Sequence, residues 1–85
     1  MVKQTVEYTN NISFHIRPIG TFTNEVKKTD SSVTVTKNEL TVPGNKAMQL
    51  LRLCIVKGDF VTIEVNGPDE EALLERLVKI LLGGE

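Results

Sequence analysis

Residues 31–42 constrain the fold of this chain more than any other stretch. Ser31-Ser32-Val33-Thr34-Val35-Thr36-Lys37 is rich in β-branched residues and alternates, the pattern of a strand. Asn38-Glu39 reads as a two-residue connection and Leu40-Thr41-Val42 as the returning strand, so this pair must be antiparallel. The connection lacks the favoured Asn-Gly pair, which leaves its turn type open. Pro43-Gly44 stops the hairpin. The remaining strand pairings do not follow from pattern alone.

Helix and strand periods alternate on either side of the hairpin. Val2, Gln4, Val6 and Tyr8 alternate with Lys3, Thr5 and Glu7 as a half-buried strand, which Thr9-Asn10-Asn11 ends. From Pro18 to about Lys28 the pattern is helical, with Ile19, Phe22 and Val26 on one face. Gly20 falls early in this helix, at a cost of about 1 kcal/mol relative to alanine. Close approach by a partner or another element would account for it. Asn45 is the expected N-cap of a short helix carrying Ala47, Met48, Leu50 and Leu51 and reaching towards Cys54. Lys57-Gly58-Asp59 is a turn, and Phe60 to Asn66 is a fourth strand. Gly67-Pro68-Asp69-Glu70 reads as a helix start, with proline at the first position and acids in the first turn. Leu73, Leu74, Leu77, Val78, Ile80, Leu81 and Leu82 give that helix a broad apolar stripe, and Gly83-Gly84 ends it. The order is β-α-β-β-α-β-α. A small sheet with one apolar face covered by three helices follows, an open-faced α/β sandwich.

Composition excludes several function classes. Eighty-five residues make one small domain, 1–85. The net charge is −1 and there is no tryptophan, so no nucleic-acid partner is expected. No apolar run is long enough to span a membrane and no leader is recognisable, so the expected compartment is the cytoplasm. Cys54 is the single cysteine, which excludes an intrachain disulfide, and zinc-ligand spacings are absent. Between Leu53 and Ile55 it is expected to be a buried small apolar residue. Arg17, Lys27, Lys28, Lys46 and Arg52 lie in the first two-thirds of the chain, whereas residues 69–76 are mostly acidic. If the basic group shares a face, it suits an acidic protein surface.

The stretch that carries chemistry is Ser13-Phe14-His15-Ile16-Arg17-Pro18, which holds the only histidine. Proline suits a first helical turn, so His15 falls at or just before a helix N-terminus. Unpaired backbone N–H groups and the positive end of the helix dipole favour an anion there. Arg17 adds a permanently charged fork of donors suited to phosphate. A nucleophilic imidazole beside such a cradle can take up a phosphoryl group.

This segment and the order of elements resemble HPr, the histidine-containing phosphocarrier family of the bacterial sugar phosphotransferase system. The resemblance spans essentially the whole chain. It rests on His15-Ile16-Arg17-Pro18, on Phe22, on Met48 and Leu51, and on the Gly67-to-Glu71 helix start. It implies a four-stranded antiparallel sheet backed by three helices. It also implies a carrier, not an enzyme: His15 accepts a phosphoryl group on Nδ1 from phosphorylated enzyme I and passes it to enzyme IIA domains of sugar transporters. Arg17 would stabilise charge on the phosphoryl oxygens, with the backbone N–H groups of Ile16 and Arg17 beside it. Ile16, Gly20, Ala47, Met48 and Leu51 would form the docking flank, rimmed by Lys27 and Arg52. No cofactor or metal is implied, and a monomer suits a shuttle that must meet several proteins.

Four positions depart from the family pattern. Lys46 stands where many relatives carry a kinase-regulated serine, so that switch should be absent. Ser13 replaces a usual glycine that supplies a positive φ. Ile19 replaces a smaller residue, and Phe14 replaces an aliphatic one, where it would shield the imidazole or fill the core. These departures leave room for a regulatory paralogue that acts by phosphorylation-dependent binding, or for a scaffold domain that uses no phosphate.

Overall fold

The computed structural model describes residues 1–10 and 12–83. The chain runs β1 (Val2–Glu7), α1 (Ile16–Lys27), β2 (Ser32–Lys37), β3 (Leu40–Pro43), α2 (Ala47–Arg52), β4 (Phe60–Asn66) and α3 (Glu70–Leu81). The strands form one sheet in the order β1-β4-β2-β3, and every neighbouring pair is antiparallel. The expected hairpin is in place, with Lys37 opposite Leu40. Of its two loop residues only Asn38 takes a positive φ, 57°. That sign pattern belongs to a type II′ turn, because type I′ needs both residues positive.

Alternation sorts the sheet into a helix side and an open side. Val61, Ile63 and Val65 on β4 and Val33 and Val35 on β2 are buried beneath the helices. They pack with Ile19, Phe22 and Val26 of α1 and Leu73, Leu77 and Leu81 of α3 in one core. On the open side Thr5, Thr62, Thr36 and Thr41 fall in register across all four strands. Their hydroxyls pair at 2.7 Å (Thr5 with Thr62) and 2.8 Å (Thr36 with Thr41). Gln4, expected on the buried side of β1, is exposed. β1 is an edge strand, and Val2 and Val6 are themselves only partly buried.

Several boundaries differ from expectation, each for a local reason. Helix α1 begins at Ile16, so Pro18 is its third residue. The first four helical N–H groups have no intrahelical partner, so proline costs no hydrogen bond there. The N-cap of α2 is Lys46, with no side-chain cap bond, and Asn45 falls one residue earlier. In α3 the N-cap is Asp69, and Pro68 stays in the preceding turn. The Asp69 carboxylate is engaged elsewhere, accepting from Thr29 Oγ1 at 2.8 and 2.9 Å and from Ser31 Oγ. The acids expected in the first turn, Glu70 and Glu71, are there. Gly83 follows α3 with φ 84°, as a helix stop requires. Gly84 and Asn11, named in the stop signals, lie outside the described residues.

Cys54 is exposed, contrary to expectation. Helix α2 ends at Arg52, and Cys54 takes a positive φ of 53° just beyond the C-cap, Leu53. That turn points Leu53 and Ile55 into the core and Cys54 outwards. Lys37 Nζ holds the exit by donating to the carbonyls of Leu53 and Cys54, each at 2.8 Å, and by pairing with Asp59 at 2.9 Å.

Candidate functional site

His15 is the N-cap of α1, with extended backbone at φ −108° and ψ −174°. Its carbonyl accepts the helix's opening hydrogen bond from Ile19 N at 3.0 Å. Among the described residues no side chain caps this terminus, and no acidic residue occupies the first turn, so the cradle keeps its positive potential. His15, Ile16 and Arg17 are all exposed. His15 and Arg17 line one groove of about 350 Å³ with Tyr8, Asn10, Ile12 and Thr21, among others. Among the described residues Arg17 has no carboxylate partner, so its guanidinium is not committed to an internal ion pair.

The loop that presents His15 is fixed from below. Phe14 is buried, edge-on to Tyr8 at 6.2 Å and to Phe22 at 5.9 Å between ring centroids. It fills the core and does not shield the imidazole. Its backbone N–H donates to Ile55 O at 3.0 Å. Tyr8 Oη donates to Ile12 O at 2.8 Å, and burial pushes the Tyr8 phenol above its usual value, which keeps it a donor. Ser13 does not take a positive φ, so its side chain brings no backbone strain to the loop. The Tyr8 contact was not foreseen from the sequence. Its one available signal was that a buried phenol needs a hydrogen-bond partner.

The imidazole Nδ1 lies 2.9 Å from Ser13 O. A carbonyl can only accept, so Nδ1 carries the proton in this arrangement and the neutral ring's lone pair is on Nε2.

The residues expected at a docking flank lie on α1 and on α2, two helices that pack against each other. Ile16 is 55% exposed, Met48 65% and Leu51 36%, which removes core packing as the reason for the last two. At about 100° per residue, Ile16, Gly20 and Lys27 fall within roughly 40° of one another on α1. No atom of another element comes within 4 Å of a Cβ placed on Gly20, so internal packing does not explain that glycine. Helix α2 packs beside α1 and presents Met48, Leu51 and Arg52 on the side opposite buried Leu50, while Ala47 is half-buried. Arg17, Lys27, Lys46 and Arg52 have no carboxylate partner among the described residues, whereas Lys28 pairs with Glu25 at 3.2 Å.

Comparison with known proteins places the chain. The family model of the PTS HPr component phosphorylation site matches residues 2–82. The chain belongs to the HPr family. A phosphocarrier protein HPr of Neisseria meningitidis serogroup A is 34% identical over 83 residues, covering 98% of this chain and 93% of that protein. A phosphocarrier protein NPr of Klebsiella oxytoca is 34% identical over 84 residues, with coverage of 98% and 93%. The crystal structure of HPr-C-His from Thermoanaerobacter tengcongensis superposes with a TM-score of 0.87 at 28% identity, covering 100% of this chain and 99% of that one. The order of elements and the four-stranded antiparallel sheet with three helices are those of HPr. Members of the family carry phosphoryl groups and do not themselves catalyse a reaction. No helix among the described residues is long and apolar enough to cross a membrane.

Proposed function

We propose that this chain is a cytoplasmic relay protein that accepts a phosphoryl group on His15 from phosphorylated enzyme I and delivers it to enzyme IIA domains. The observation that carries the reading is the exposed His15 at an uncapped, acid-free helix terminus, in one groove with an uncommitted Arg17. A ring nitrogen attacks phosphorus in line with the donor, and the donor leaves with the electron pair that bound it. Arg17 and the first amides of α1 take up charge on the transferring oxygens. The exposed Ile16, Met48 and Leu51, with Arg52 and Lys27 at the rim, suit an acidic partner with an apolar centre. The carrier works as a monomer, and its partners complete the site in turn.

The test is incubation with enzyme I and phosphoenolpyruvate, read by intact mass. The wild type should gain one acid-labile phosphate, His15→Ala none, and Arg17→Ala should gain it at least tenfold more slowly. An unlabelled wild type, with an enzyme I active on another carrier, overturns the reading. A second reading, a regulatory paralogue that binds proteins according to its phosphorylation, is favoured by the departures from the family pattern at Ser13, Ile19 and Lys46. Transfer to enzyme IIA domains of sugar transporters separates the two.

A further inference from the structure

We infer that the Ser13 carbonyl is a fixed latch on the His15 ring: it reserves Nδ1 for a proton in the resting protein, so the ring must turn about its Cβ–Cγ bond before Nδ1 can take a phosphoryl group. This deepens the proposed carrier chemistry and rests on it for the transfer step alone.

The resting state follows from the 2.9 Å contact between Nδ1 and Ser13 O. A carbonyl oxygen can only accept, so the ring's hydrogen sits on Nδ1 there and the neutral ring's lone pair is on Nε2. An unconstrained histidine in water favours the opposite tautomer.

The carbonyl cannot turn out of the way. It belongs to the peptide unit whose N–H is that of Phe14, and that N–H is bound to Ile55 O at 3.0 Å. Flipping the unit would break this bond and drag a ring that is 3% exposed from between Tyr8 and Phe22. The preceding carbonyl, Ile12 O, is held by Tyr8 Oη at 2.8 Å. On the other side the His15 carbonyl is tied to Ile19 N at 3.0 Å. The backbone is pinned before, at and after the latch, and the side chain is exposed. The ring is the moving part.

The transfer then balances as follows. The turning ring gives up its Nδ1 proton to water and takes one from water on Nε2. The Nδ1 lone pair forms the bond to phosphorus as the bond to the donor breaks, and that pair stays with the donor. The product ring keeps its Nε2 proton and a positive charge until water removes the proton. A phosphoryl group placed on an unturned Nδ1 would set anionic oxygens against the Ser13 carbonyl oxygen, two acceptors face to face. The turned ring instead sets its carbon edge against that carbonyl. Ser13 is thus a positioning residue, through its backbone.

The experiment is long-range proton–nitrogen correlation NMR on protein labelled with nitrogen-15, in alkaline buffer, before and after loading by enzyme I and phosphoenolpyruvate. The free protein should show the proton on Nδ1. The loaded protein should show phosphorus on Nδ1 and the proton-binding site on Nε2, with Phe14 amide exchange changed less than twofold. A free protein with the proton on Nε2 overturns the latch. So does phosphorus on Nε2, which needs no turn, or a Phe14 amide that exchanges tenfold faster after loading. Failure to take up phosphate overturns the carrier reading instead, and the free-protein tautomer still decides the latch.

Discussion

At the scale of single residues, the site depends on groups that do no chemistry. Tyr8→Phe keeps the edge-on ring packing and deletes only the bond to Ile12 O. It should cost about 1 kcal/mol in urea unfolding, the net worth of one such bond. It should also slow phosphate uptake, because the loop before His15 loses an anchor. Gly67 is constrained more tightly: a Cβ there would lie 2.0 Å from Ser31 Oγ and 2.6 Å from Ser31 Cα. Gly67→Ala should destabilise by about 1–3 kcal/mol, the usual cost of overpacking, measured the same way. The placement of His15 and Arg17 was legible in the sequence because it is local, a histidine and an arginine at a helix start. The Tyr8 hydroxyl and the Ser13 carbonyl were not. The first partner depends on how the loop folds back, and the second is backbone, identical in every residue.

At the scale of elements, the helix ends decide the details. Asp69 leaves its own N-cap role to join Thr29 and Ser31, tying the start of α3 to the segment after α1. The Ser31 hydroxyl first, then that of Thr29, holds the Asp69 carboxyl below its usual value. A folded value below the unfolded one means the unfolded chain binds more protons as acid is added. The stabilisation is therefore full above the unfolded value, about 3.9, and is lost as pH falls through the folded one. Thermal unfolding between neutral and acid pH should show this loss, and Ser31→Ala should flatten it. Helix α1 carries the opposite case. Gly20 meets no other element, so Gly20→Ala should raise stability by about 0.5–1 kcal/mol. Slower phosphate uptake by that variant would assign the glycine to a partner's approach. The periods of all three helices were legible, but their first residues were not. Pro18 and Pro68 are each compatible with more than one position near a helix start, and Asn45 sits inside a turn that Lys46 N–H closes on Pro43 O, which moves the helix start one residue on.

For the whole molecule, the order of elements was legible because each period is local, whereas the strand order β1-β4-β2-β3 rests on long-range pairing. Exposure was also a tertiary matter: Met48 and Leu51 fit a core stripe by spacing and lie outside it. Met48→Glu should leave the unfolding midpoint within error, since the side chain is 65% exposed, and slow loading from enzyme I about tenfold. Lys46 should leave the protein unmodified at that position by a serine kinase of the HPr-regulating type, checked by mapping phosphate after incubation. The helices all sit on one side of the sheet, and the row Thr5, Thr62, Thr36, Thr41 looks the other way. A molecule tethered to a solid support through Lys3, a neighbour of that row, keeps its working end turned outwards. Surface-bound kinetics of the relay can then be recorded without the support competing with the docking partners.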